Sequence, residues 1–330
     1  MKDKGIDVSI FRHEDARGVA DLFIDIYGND YPIKTVYNPE KLIDAFEKMD
    51  NIPVVARTHE GRIVGYVAMF RSAPHQRLYE AGQGLVLPNF RNIGIAALMN
   101  KYLCDTLAKR FLIDAVFGEA VCHHTHMQRA WAAYGAIETA VEVDLMPASA
   151  YEKEKSASGR VSTLDMFRTY IPKHHKIYIP PIYSDVMRLI YASYDDTREF
   201  SMSSEKIPSS EQQTTLNTQV FEFAGVARIA VYQAGFDFNE AFYREVSQLA
   251  NMGTEVIQVW LRLSCPWIDD IVHVLRKTGF FFGGVLPRWF DDDGLLMQKV
   301  TGIPNWDGIT LYSDHAKRIL DYVRSDWQNI

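Results

Sequence analysis

Cysteine is scarce in this chain: three among 330 residues, Cys104, Cys122 and Cys265. They are odd in number, far apart and form no C-x-x-C pair, which speaks against a disulfide framework or a cysteine zinc site and fits a reducing compartment. Positive charge is also in deficit. With 35 Lys and Arg against 42 Asp and Glu, the formal net charge is −7. A binder of the nucleic-acid backbone usually shows a basic face, so that class is disfavoured, while a local basic pocket for one phosphorylated ligand is not. Long apolar runs are missing, none approaching the roughly 18 residues of a membrane helix. The opening MKDKGIDVSIFRHEDARG lacks the apolar stretch of a signal peptide. What the chain does have is apolar substance, 47% hydrophobic and 12% aromatic, enough for a sizeable core and too much for wholesale disorder. At about 150 residues per domain, the length suits two domains. The expectation is a soluble, cytoplasmic, two-domain α/β protein without a nucleic-acid or membrane partner.

Periodicity organises the first half. Asp7–Phe11 alternates like a strand, and Glu14–Tyr27 carries Val19, Leu22, Phe23 and Ile26 at helical spacing. Asn38-Pro39-Glu40 opens a second helix. Val54–Arg57 and Arg62–Phe70 read as strands joined at His59-Glu60-Gly61, and Tyr79–Leu87 as a strand stopped by Pro88. A long helix over Ile95–Arg110, a strand Ala115–Cys122, a helix Thr125–Tyr134 ended by Gly135, and a strand Ile137–Leu145 complete the set.

The most informative stretch runs from Tyr79 to Arg110. The strand end Gly84-Leu85-Val86-Leu87-Pro88 leads through Asn89-Phe90-Arg91-Asn92-Ile93-Gly94 into Ile95-Ala96 and the long helix. A tight turn before a helix points several backbone N–H groups one way, and the helix dipole adds partial positive charge there. Gly94 removes a side chain where a phosphate would have to come close. Ala96 keeps the first helical turn open, and Arg91 supplies a cation. The physics describes a pyrophosphate cradle, although the same residues also suit a helix start packed tightly on a sheet.

Arg91-x-x-Gly94-x-Ala96 after a Val-x-Pro strand end resembles the coenzyme A pyrophosphate motif, Gln/Arg-x-x-Gly-x-Gly/Ala, of the GNAT superfamily of N-acetyltransferases. The likeness in element order extends over about residues 5–148. It implies a mixed α+β sheet splayed between its fourth and fifth strands and flanked by helices. It implies acetyl-CoA, or another acyl-CoA, as co-substrate, with the pyrophosphate at Arg91, Asn92, Ile93, Gly94, Ile95 and Ala96. The pantetheine would run along the backbone of Leu85, Val86 and Leu87, with the thioester in the splay and a primary amine as acceptor. Neither GxxxxGK[ST] nor GxGxxG occurs, so P-loop and dinucleotide readings fit worse.

Acyl transfer to an amine needs the neutral amine, because an ammonium has no lone pair, so a base must take a proton directly or through water. Glu80 lies eleven residues before Arg91 on the same strand, the offset at which the resemblance implies a catalytic glutamate. His123-His124-Thr125-His126 ends the fifth strand, and His124 is the second candidate base near neutral pH. No partner at metal-ligand spacing accompanies these histidines, so no metal is expected. The resemblance implies a tyrosine acid four residues before Gly135, where this chain has Trp131, which leaves Tyr134 as the nearby phenol. The alternative to an acyltransferase is a non-catalytic acyl-CoA sensor or interaction protein on the same fold.

After the polar stretch Tyr151–Ser162 the strand and helix order repeats without obvious identity. Two GNAT-like folds in tandem are expected: a catalytic domain over residues 1–150, a linker 151–162, a degenerate copy 163–302 and a C-terminal helical extension 303–330. In the second copy the cradle position reads Gly235-Phe236-Asp237-Phe238-Asn239, with an acid where a phosphate would sit. That copy is expected to bind no CoA and to pack on the first as a pseudo-dimer. Ser184 is expected to cap a helix, and Asp293-Gly294 to make a two-residue hairpin turn with Arg288 and Asp291–Asp293 in solvent.

Overall fold

Ile52–Ala56 and Val64–Met69 carry apolar or small residues at every position, the pattern of strands covered on both faces. They form β2 (Asn51–Thr58) and β3 (Ile63–Phe70), each buried along nearly its whole length. The computed structural model describes residues 5–29, 31–150, 159–194, 198–207 and 212–330. The chain divides into two units, residues 1–118 with 168–171 and residues 119–167 with 172–330. Among the described residues no helix is long and apolar enough to cross a membrane.

In the first unit the strand order is β1 (Ile6–Ile10), β2, β3, β4 (Leu78–Val86) and β5 (Ala115–Val121). Neighbours are antiparallel except β4 and β5, which are parallel. Helix α1 (Ala16–Tyr27) buries Val19, Leu22 and Phe23. It sits directly on β3 because Gly18 has no Cβ, which would lie 2.7 Å from Ile63. Helix α2 (Pro39–Glu47) starts as its sequence predicts: Pro39 fills the first turn and the Asn38 carboxamide oxygen accepts from the Lys41 N–H at 3.1 Å. Helix α3 (Ile95–Lys101) covers the other face, with Met99 Cε 3.0 Å from where a Cβ on Gly65 would be. The single helix expected over Ile95–Arg110 is present but widens through π-helical Tyr102–Leu107 before its last turn, α4 (Ala108–Arg110). The unit is closed by residues 168–171. Tyr170 and Ile171 N–H donate to the Asp114 carbonyl at 2.8 and 3.1 Å, and Arg168 pairs with Asp105 at 3.0 Å.

In the second unit the order is β7 (Val161–Thr169), β6 (Ile137–Met146), β13 (Phe281–Leu286), β14 (Gly294–Val300), β12 (Val256–Arg262), β11 (Val226–Gln233) and β10 (Thr215–Phe221). The last residues of β5 lie beside β7, where the Cys122 N–H donates to the Ser162 carbonyl at 2.9 Å. A separate parallel pair joins β8 (His175–Ile179) and β9 (Arg198–Met202). Helices α5 (His126–Ala133), α6 (Ser184–Tyr191), α7 (Phe238–Asn251), α8 (Ile268–Lys277) and α9 (Asp314–Gln328) complete it. Gly284 faces Ala140 where β13 meets β6, so closely that a Cβ would lie 2.3 Å from the Ala140 Cα.

Three local expectations need correction. Ser184 is the first residue of α6, and Tyr183 stands in the capping position. Strand β7 opens at Val161, inside the stretch expected as a linker, whose residues 151–158 lie outside those described. Asp293-Gly294 is not a two-residue turn. Leu286 pairs with Gly294, so residues 287–293 form the loop, and Gly294 is already strand. That loop is not in solvent, because Arg288, Trp289 and Phe290 are buried and Asp293 is fully buried. The Asp293 carboxylate accepts from Arg198 Nε at 2.6 Å and from the Tyr191 hydroxyl at 2.8 Å, and lies 3.0 Å from His175 Nε2. These partners hold the carboxyl well below its ordinary range against a burial that opposes ionisation.

Candidate functional site

Strand β4 departs from its neighbour. It pairs with β5 at Leu78↔Ala115, Tyr79↔Val116 and Glu80↔Phe117 and no further, although β4 runs on to Val86. Its other edge stays paired with β3 to the end. The register against β3 slips between Tyr66 and Ala68, and Gln83 takes a φ of +56°. This is a β-bulge, which bends its strand. Beyond Glu80 no β5 residue is registered against β4, a gap in the pairing, and an unpaired strand edge offers backbone groups to a ligand.

The strand then enters the turn singled out above. Asn92 (φ +61°) and Gly94 (φ +84°) both adopt the left-handed conformation, which glycine and asparagine tolerate best. The first intrahelical bond of α3 runs from the Leu98 N–H to the Gly94 carbonyl at 3.0 Å, so the N–H groups of Ile95, Ala96 and Ala97 precede the helical ladder. Arg91, Asn92, Gly94 and Ala96 are exposed, Ile93 is half-buried, and Ile95 is buried as the anchor of the helix. Two details differ from a bare cradle. The Leu87 N–H donates to the Val64 carbonyl at 2.9 Å, toward β3 and away from the gap. Arg91 Nε donates to the Val86 carbonyl at 2.9 Å, which folds the guanidinium back onto the strand end. Leu85 and Val86 are buried in the same strand end.

Register places side chains on one face of this sheet. Asn51 pairs with Phe70 and Phe70 with Glu80, and Ala68 with Gly82 and Tyr66 with Leu85 follow along the same face. Glu80 is half-buried there. Against this face α1 and the segment after it lay four rings. Phe23 lies 5.3 Å from Tyr66 and 4.9 Å from Tyr31, while Tyr31 lies 5.0 Å from Tyr27, and Tyr37 is 6.3 Å from Phe23. The Tyr66 hydroxyl accepts from Asn51 Nδ2 at 3.2 Å and reaches the Gln83 carboxamide oxygen at 3.5 Å. Burial raises the Tyr31 hydroxyl far above its ordinary pKa, and the neighbouring phenols and the Glu80 charge add to that.

Of the expected site residues, Glu80 and the whole stretch from Leu85 to Ala96 belong to the first unit. His124 and Tyr134 belong to the second. The His124 ring packs between His123 at 4.4 Å and His126 at 5.0 Å. Tyr134 follows α5 and its N–H donates to the Trp131 carbonyl at 3.0 Å, while Trp131 itself is buried as core. Sequence reasoning missed the bulge at Gln83 and the rings of Tyr27, Tyr31 and Tyr37. The usable signal was an aromatic cluster in an otherwise polar loop, Tyr27-Gly28-Asn29-Asp30-Tyr31.

The second unit also has a parallel strand pair followed by a helix, and it is built differently. There β11 and β12 are parallel and stay paired through six residues, from Val226↔Val256 to Val231↔Leu261, so no gap opens. The turn into α7 is packed by its own chain. A Cβ on Gly235 would lie 2.1 Å from the Gln212 carbonyl, and the Asp237 carboxylate accepts from the Thr214 N–H at 2.7 Å.

No family model and no curated protein matches the chain. Solved structures similar to part of it include the ribosomal-protein-S5-alanine acetyltransferase from Vibrio fischeri, 12% identical, covering 50% of this chain and 93% of that one at a TM-score of 0.40. The spermidine N-acetyltransferase from Vibrio cholerae is 13% identical, covering 50% and 94% at 0.38. An N-acetyltransferase from Staphylococcus aureus Mu50 is 11% identical, covering 50% and 98% at 0.40.

Proposed function

We propose that the first unit is an acyl-CoA-dependent N-acyltransferase that moves an acetyl or other short acyl group to a primary amine. The observation that carries the reading is the early end of β4–β5 pairing at Glu80, directly upstream of an exposed, left-handed turn and helix start. A pantetheine can extend along an open strand edge as an added strand does. A pyrophosphate suits the turn at Arg91–Ala96, where backbone N–H groups and the helix dipole favour an anion. Glu80 stands where the gap opens, half-buried beside the bulge.

In the reaction, the acceptor ammonium gives one proton to the Glu80 carboxylate. The freed lone pair adds to the thioester carbonyl, the C–S bond breaks, and one of the two remaining N–H protons passes through water to the departing thiolate while the other stays on the amide. The amide and free CoA leave, and Glu80 returns its proton to solvent. In the second unit β10-β11-β12 repeats the antiparallel-then-parallel order of β3-β4-β5 in the first, which supports a tandem arrangement. Its closed strands and self-packed turn support a copy that takes no CoA.

Calorimetry with acetyl-CoA tests the cradle, and thiol release over a panel of amines tests transfer. Glu80→Gln is expected to lower kcat about a hundredfold with acetyl-CoA affinity unchanged. Intact binding with no thiol release for any amine favours the sensor reading, and absence of binding overturns both.

A further inference from the structure

The acceptor side of the gap has a chemistry of its own. Glu80, Gly82 and Tyr66 share one face of the sheet, and Gly82 presents no side chain between the carboxylate and the bulge. Phe23 and Tyr66 form a buried backing layer. In front of it stand Tyr27, Tyr31 and Tyr37, all partly exposed, with Tyr31 fixed by its N–H donating to the Tyr37 hydroxyl at 2.9 Å. The Lys34 ammonium lies over the Tyr37 ring at 5.6 Å. Asp50, next to Asn51, is engaged with Arg71 at 2.8 Å.

Resting on the transferase reading, we propose that the acceptor is a primary monoamine carried on an apolar, ring-bearing body. Its ammonium lies at Glu80 and its body against Tyr27, Tyr31 and Tyr37. A single carboxylate suits one ammonium. A polyamine would bring further ammonium groups beyond the one that Glu80 balances, with Asp50 held by Arg71. An apolar body gains from leaving water, and tilted aromatic pairs favour a ring over a plain chain.

The test compares thiol release from acetyl-CoA with 2-phenylethylamine, 1,4-diaminobutane and a lysine-containing peptide. The kcat/KM for 2-phenylethylamine is expected to exceed that for either competitor by about tenfold or more. Tyr31→Ala is expected to raise its KM about tenfold while leaving the KM for acetyl-CoA unchanged, and Tyr31→Phe to restore it. Preference for the diamine or the peptide, or a Tyr31→Ala enzyme with unaltered KM, overturns the proposal. If Tyr31→Ala misfolds, Tyr27→Ala serves by the same criterion. If no amine releases thiol, the transferase reading fails separately. Direct titration with 2-phenylethylamine by NMR then decides the pocket: binding lost in Tyr31→Ala sustains it, and no binding overturns it.

Discussion

Glu142 lies buried in the second unit, accepting from Gln258 Nε2 at 2.8 Å, the Thr163 hydroxyl at 2.9 Å and Arg228 Nη2 at 3.2 Å. Burial pushes its carboxyl up to about 7, the Glu119 charge adds to that, and Arg228 opposes it. Glu119, Glu142 and Asp165 offer oxygens within 4.8 Å of one another, and Glu119 also meets Arg228 at 2.9 Å. Because the folded carboxyl holds its proton to higher pH than the unfolded one, its contribution is full below the unfolded value. It is lost as pH rises through about 7. The melting temperature is therefore expected to fall between about pH 5 and about pH 8, and Glu142→Gln to flatten that slope. An unchanged slope in the variant would assign the effect to another group. Asp293 is the opposite case, ionised and fully paired. Asp293→Ala strands the buried Arg198 charge and is expected to cost about 3–5 kcal/mol, read from the urea midpoint.

At the scale of elements, the turn before α3 is where local chemistry dominates. Gly94→Val places a β-branched residue at a φ of +84°. It is expected to weaken acetyl-CoA binding about tenfold or more while Glu80 chemistry on bound complex persists, a split readable by calorimetry and saturating kinetics. The same locality explains what the amino-acid sequence revealed. Arg91, Gly94 and Ala96 announce a turn and helix start because their requirements lie within a few residues of one another. The Asn38-Pro39 helix start was legible for the same reason. The bulge at Gln83 was not, because it exists only relative to the register of β3. The tyrosine wall was not, because it assembles only once Gly18 lets α1 settle on the sheet. Asp293-Gly294 misled for a related reason: a favoured turn pair was outweighed by a buried arginine and histidine distant in sequence.

At the scale of the whole molecule, the two places where parallel strands adjoin a following helix differ in one measurable respect. One opens after three residue pairs and the other stays closed through six. Titration with acetyl-CoA is accordingly expected to saturate at one equivalent per chain. Two equivalents would contradict the self-packed turn at Gly235. The first unit is also discontinuous, since it includes residues 168–171 as well as 1–118. Its Asp114 carbonyl receives both of its donors from Tyr170 and Ile171. During synthesis those donors emerge only after much of β6 and β7 has left the ribosome, so the first unit is not the first thing the cell can finish. A protease cut between the two segments would sever the chain, and the hydrogen bonds to Asp114 and the Arg168–Asp105 pair would still hold residues 168–171 in the unit.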